Sequence, residues 1–136
     1  MSAMHVRVRT GGEDYAVAVA GVSEIATLGP VTPVPGAPAA VRGVWNLRGD
    51  VIAAVDLGAL MGLGPAAAPS RIVVAEHREL RAGLVVEAVV DVEALPDSLE
   101  PAEHEYLSGM VLIERVPVGV VDLGVVLGAV SAVAAQ

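Results

Sequence analysis

Apolar and polar positions alternate from the start of the chain. Val6 and Val8 stand among Arg7 and Arg9, the period of a strand with one solvated face. Gly11-Gly12-Glu13-Asp14 predicts a turn, and Tyr15 to Ala20 a returning strand. Gly21 to Ile25 reads as a turn or a single helical turn. Pro30, Pro33, Pro35 and Pro38 then crowd one short stretch, which predicts an extended loop or an edge strand. Gly43 to Leu47 and Val51 to Asp56 are apolar runs joined by Arg48-Gly49-Asp50, a hairpin. Asp56, followed by Leu57, Leu60, Met61 and then Gly62, has the order of a capped short helix. Leu63 to Ser70 reads as a linker.

The plan then recurs. Arg71 to Glu76 and Ala82 to Glu87 predict two strands about a turn at His77 to Leu80. Pro101 to Tyr106 predicts a helical turn, with proline first and acids behind it. Met110 to Ile113 and Val116 to Val121 form a second hairpin around Glu114-Arg115, and Asp122 opens a last helix running to Leu127 or slightly beyond. The segment Ser131 to Gln136 is expected to fray.

The recurrence is visible in the letters. Asp56-Leu57-Gly58-x-x-Met61-Gly62 matches Asp122-Leu123-Gly124-x-x-Leu127-Gly128 at an offset of 66 residues, ungapped back to Gly43 and Gly109. An offset of 67 aligns Val17 with Leu84, Val19 with Val86 and Val22 with Val89. Such a repeat predicts a duplicated, mainly β fold. Short strands with tight turns suggest two small barrels with short helices, and a groove between the halves. The expected division is one subdomain over about 15–70 and a second over about 71–122. The terminal segments 1–14 and 123–136 are expected to pack on either barrel.

Composition narrows the function classes. The chain has 136 residues, of which 54% are hydrophobic, with no Cys, no Phe and one Trp. Disulfides and thiolate metal sites are therefore excluded. All eight basic residues are Arg and the net charge is −8, a poor match to the clustered positive charge that nucleic acid requires. No apolar run approaches the length of a membrane-spanning helix, and the first ten residues lack a signal-peptide core, so a cytoplasmic protein with no direct membrane insertion is expected.

Candidate chemistry is sparse. Asp56 and Asp122, at matching positions of a duplicated β fold, raise an aspartic hydrolase as an alternative. Leu57 and Leu123 follow them, where such enzymes carry Thr or Ser, and each Asp also fits a helix N-cap. His5, His77 and His104 show no ligand spacing, so no metal is expected. No phosphate-cradling glycine pattern exists, so no cofactor is expected. Arg48, at a hairpin tip beside Gly49, can be an ordinary solvated turn residue or a recognition arginine presented by a rigid hairpin.

The run from Val41 to Leu57, VRGVWNLRGDVIAAVDL, resembles the signature of the CheW family, adaptors that couple chemoreceptors to the chemotaxis histidine kinase. Tyr15-Ala16-Val17, Val22-Ser23-Glu24-Ile25, the segment Val31 to Pro35 and Gly83 to Glu87 are similar to further stretches of that family, with Glu87 where Asp is usual. The resemblance implies a non-catalytic adaptor with two five-stranded barrels and an apolar groove. It implies two partners, the regulatory domain of the kinase and the cytoplasmic helical tip of a receptor. Carried over by motif, Arg48, Asn46 and Gly43 become partner-binding candidates, with Val22 and Glu24 from the turn before the proline segment. Val73 and Val74, on a strand beside the groove, join them. A relative serving another pathway, or one using the groove to sense a small ligand, would share these features.

Overall fold

A computed structural model describes residues 2–134. Ten strands and two helices follow in chain order: β1 (Ser2–Thr10), β2 (Glu13–Ala18), β3 (Val22–Thr27), β4 (Val41–Leu47), β5 (Asp50–Asp56), α1 (Leu57–Leu60), β6 (Arg71–His77), β7 (Leu80–Val86), β8 (Ala88–Pro96), β9 (Leu107–Ile113), β10 (Val116–Val121) and α2 (Leu123–Ala134). A 3₁₀ turn at Val19–Gly21 links β2 to β3.

The strands form two five-stranded sheets of matching plan. The first has the order β8-β1-β2-β10-β9 and the second β3-β6-β7-β5-β4. The repeat holds residue for residue. Ala54 pairs with Gly83 in the parallel β5–β7 ladder, as Val120 pairs with Ala16 in the parallel β10–β2 ladder. Residues 22–86 build the second sheet, and residues 2–18 with 88–121 build the first. The halves are therefore interleaved: hairpin β1–β2 leaves its own repeat to join the other sheet. The expected boundary at 70/71 cuts through the second sheet, because sequence similarity marks the repeat unit and strand pairing marks the physical unit.

Neither sheet closes into the continuous barrel expected. On each open side a single bridge ties the loop after one edge strand to the other edge strand, Thr32 to Val44 beyond β3 and Glu100 to Met110 beyond β8. Pro33 follows Thr32 and Pro101 follows Glu100. A proline has no N–H to extend a ladder, which stops each closure at one bridge. Other local differences have equally local causes. Residues 22–25 are strand, with side chains alternating half-buried and exposed. Residues 101–106 are not helical, since the Glu100 bridge holds their start extended. Helix α2 continues through Ala134, so Ser131 to Ala134 are helical, and the last two residues lie outside the described range.

Three apolar layers result. Between the sheets, Val8 and Val17 of the first meet Val55, Val73, Leu84 and Val86 of the second, sealed by Leu57 of α1 and by Leu123, Val126, Leu127 and Val130 of α2. Inside the second sheet lie Trp45, Leu47, Ile52, Ile72, Val74 and Val85. Inside the first lie smaller groups, Ala16, Leu95, Val118 and Val120. Alternation along one strand sends Val73 and Val74 to different layers.

Candidate partner-binding surface

The β4–β5 hairpin is closed by a two-residue turn. Arg48 and Gly49 both have positive φ, +48° and +91°, the left-handed pair of a type I′ turn that matches strand twist. Asn46 accepts the Gly49 N–H on its Oδ1 at 2.8 Å and rigidifies the tip. Asn46 is thus a turn-bracing residue.

The tip aims Arg48 across the open side of the second sheet. One guanidinium nitrogen donates to Glu24 Oε2 at 3.3 Å and the other engages Oε1. Glu24 lies on β3 and Arg48 between β4 and β5, so the pair spans the two edges that the ladder leaves unjoined. The Arg48 side chain is still 73% exposed and that of Glu24 25%. The equivalents in the first sheet are Asp91 and Glu114, two acids that cannot pair. A cation braced at the rim therefore distinguishes this end of the second sheet.

Toward the base of the same hairpin lies an apolar cavity of about 570 Å³. The proline loop supplies Val34, Pro35 and Pro38, the sheet supplies Val44 and Ala53, and α2 supplies Val130. Among the described residues no charged one lines it. Gly43 opens onto it for a steric reason: its φ is +148°, and a Cβ there would stand 2.1 Å from the Thr32 carbonyl oxygen. Gly43 thus permits the bridge that shapes the groove wall.

Of the remaining candidates, Val22 is half-buried on β3 and packs against the layer between the sheets. Val73 and Val74 have no exposed surface at all. Both are core residues and present nothing to a partner, which corrects their assignment as contacts. The structure brings together Arg48, Glu24 and the braced turn, and adds to them the groove lining from Val34 to Pro38. Its signal was the proline cluster, which fixes an apolar loop in an extended shape.

Asp56 is not disposed as a catalytic acid. It is 1% exposed and every oxygen is occupied. Oδ1 accepts the Ala59 N–H at 3.0 Å as the helix cap, and Oδ2 takes Arg42 Nε at 2.7 Å and the Ala66 N–H at 2.9 Å. Arg42 was missed in the sequence because its aim depends on a bulge, where the β4–β5 register shifts between Val41 and Gly43.

A family model described as CheW-like domain matches residues 5–131. The chain is 34% identical over 128 residues to the chemotaxis protein CheW of Rhizobium meliloti (strain 1021), covering 87% of this chain and 83% of that one. It is 28% identical over 120 residues to the chemotaxis protein CheW of Treponema pallidum (strain Nichols), covering 78% and 71%. The crystal structure of scaffolding protein TtCheW from Thermoanaerobacter tengcongensis superposes with a TM-score of 0.81 at 24% identity, covering 90% of this chain and 86% of that one.

Proposed function

This chain belongs to the CheW-like domain family, and from that premise we propose that it is a non-catalytic adaptor linking a chemoreceptor to a chemotaxis-type histidine kinase. It is a chemotaxis scaffold that works in the cytoplasm. Its partners are the helical tip of the receptor and the regulatory domain of the kinase. Burial of the apolar groove supplies the driving force for docking, roughly in proportion to the area removed from water. Arg48 supplies register and selectivity, because a charge fixed at a rim steers encounter and rejects wrong partners.

The observation that carries this reading is the Arg48 guanidinium, held by Glu24 and yet largely exposed, at the far end of the hairpin that walls the groove. A braced side chain loses less conformational freedom on binding than a free one. The test is co-sedimentation of the purified chain with receptor-bearing membranes and the kinase, with kinase autophosphorylation measured alongside. A ternary complex with altered kinase activity is expected. A chain that joins neither partner and leaves the kinase rate unchanged would remove the adaptor reading.

A further inference from the structure

The repeat supplies its own template for a second site. Around Asp56, the β-bulge residue Arg42 places its guanidinium on Oδ2, and its other arm donates to the Ala66 carbonyl at 3.0 Å. The loop after α1, which carries Ala66, closes over the pair.

Around Asp122 the backbone is the same. Asp122 N–H donates to the Tyr106 carbonyl at 2.9 Å, as Asp56 N–H donates to that of Ala40 at 2.7 Å. Asp122 Oδ1 accepts the Val125 N–H at 3.2 Å, as Asp56 Oδ1 accepts that of Ala59. The ladder shifts between Val120 and Val121, leaving Ser108 as the bulge residue in the place of Arg42. Ser108 is too short to reach the carboxylate as Arg42 does. Helix α2 runs on through Ala134 where the first copy has its covering loop.

A cavity of about 310 Å³ adjoins Ser108 and Asp122, the counterparts of Arg42 and Asp56. It is lined by Ser108, Asp122, Gly124, His77, Glu76 and Ala20, among others. Two carboxylates and the His77 ring face it, and among the described residues no arginine lines it, although Glu76 also engages Arg81 at 3.0 Å. Among the described residues Asp122 Oδ2 has no partner, whereas its counterpart on Asp56 has two.

We propose that this cavity receives an arginine side chain from a partner protein, which takes up on Asp122 the position that Arg42 holds on Asp56. The planar guanidinium fits because the geometry already accommodates one in the other copy, with a carboxylate oxygen facing it and room for its stem. The site lies at the N-terminus of α2 and on the first sheet's bulge, apart from the groove and from Arg48.

The test is an NMR titration of the full chain with N-acetyl-arginine methylamide, using the citrulline analogue as the uncharged control. Shifts are expected at the Ser108, Gly124 and Val125 amides, with binding weakened about tenfold in D122N and absent with citrulline. Asparagine is as good an N-cap as aspartate, so D122N keeps its fold. S108R, carrying its own guanidinium into the cavity, should abolish the response and raise Tm. No shift at those amides, or an unchanged titration in D122N, overturns the proposal. A mass that doubles with concentration and reverts in D122N would assign the arginine to a second copy and overturn the partner assignment. The probe is neither receptor nor kinase, so this result stands apart from the adaptor reading.

Discussion

Arg48, at the tip of one hairpin, is ion-paired with Glu24 on the opposite edge of the same sheet. The contact closes a side that backbone hydrogen bonding leaves open, and it orients the cation outward. Two effects are thereby combined in one side chain, and they can be separated. R48E should weaken binding to the receptor–kinase assembly about tenfold, the loss of roughly 1.4 kcal/mol, while the thermal midpoint stays close to wild type, since exposed pairs contribute little to stability. The exchange E24R/R48E restores the intramolecular pair with reversed polarity. It should not restore binding, measured by the same co-sedimentation. Full recovery in the exchange would mean that Arg48 acts only by bracing the sheet.

Arg42 and Asp56 form the opposite kind of pair. Here the carboxylate is buried, and among the described residues the guanidinium is its only cationic partner. R42M leaves an uncompensated charge in the interior, with an expected loss of about 3 kcal/mol in denaturant unfolding. D56N keeps the cap bond and removes the charge, at the cost of the bond that Oδ2 accepts from the Ala66 N–H. The double variant R42M/D56N should therefore be more stable than R42M alone. If R42M unfolds at the wild-type denaturant concentration, the pair is not holding the loop that carries Ala66.

The four tight turns show where the two copies of the repeat have diverged. Gly11-Gly12 and Arg48-Gly49 each carry glycine at the second turn position, whereas Arg78-Glu79 and Glu114-Arg115 place side chains there at φ +70°. A side-chain residue in the left-handed region costs about 1 kcal/mol relative to glycine. E79G and R115G should each raise Tm by a few degrees, and together they should add, since they close hairpins in different sheets. A fall in Tm in both would show that contacts of the replaced side chains outweigh the backbone cost.

Much of this fold could be read from the letters because its controlling signals are local. Alternation gave the hairpins, and Asp56 and Asp122 gave the caps, which the structure forms with Ala59 and Val125. The repeat was legible for the same reason. What escaped was the pairing at a distance. Nothing in the letters says that β1–β2 crosses to the other sheet, because Val6 and Val8 would suit either partner. The single-bridge closures depend on where Pro33 and Pro101 fall against the next strand, a register that alternation alone does not fix. The same limit applies to the site. Arg48 and Glu24 were each picked out by motif, but their pairing needed the fold. Val73 and Val74 were misplaced because a strand beside a groove exposes neither face when sheets cover both.

The last expectation concerns Asp14, which lies inside the first sheet with two arginines. Arg9 Nε reaches its Oδ1 and Arg7 Nε its Oδ2, each at 2.7 Å. These bonds, that of Arg9 foremost, hold the Asp14 carboxyl below the ordinary carboxylate value, against an opposing push from burial. The folded pKa therefore lies under the unfolded value of about 3.9. A group depressed in this way binds its proton more readily when unfolded, so the stability it contributes is complete above the unfolded pKa and is lost as pH falls through the folded one. Acid acts on the whole protein, which makes the wild type alone a poor reporter. D14N removes this one contribution and leaves the rest, so the difference between the two curves isolates it. Urea midpoints at successive pH values should show wild type more stable than D14N by a constant margin above about pH 5. The margin should narrow steadily as pH falls below about 4. A margin that stays the same down to the lowest pH at which both proteins fold would show that Asp14 is held by packing and neutral hydrogen bonds, with no net contribution from its charge.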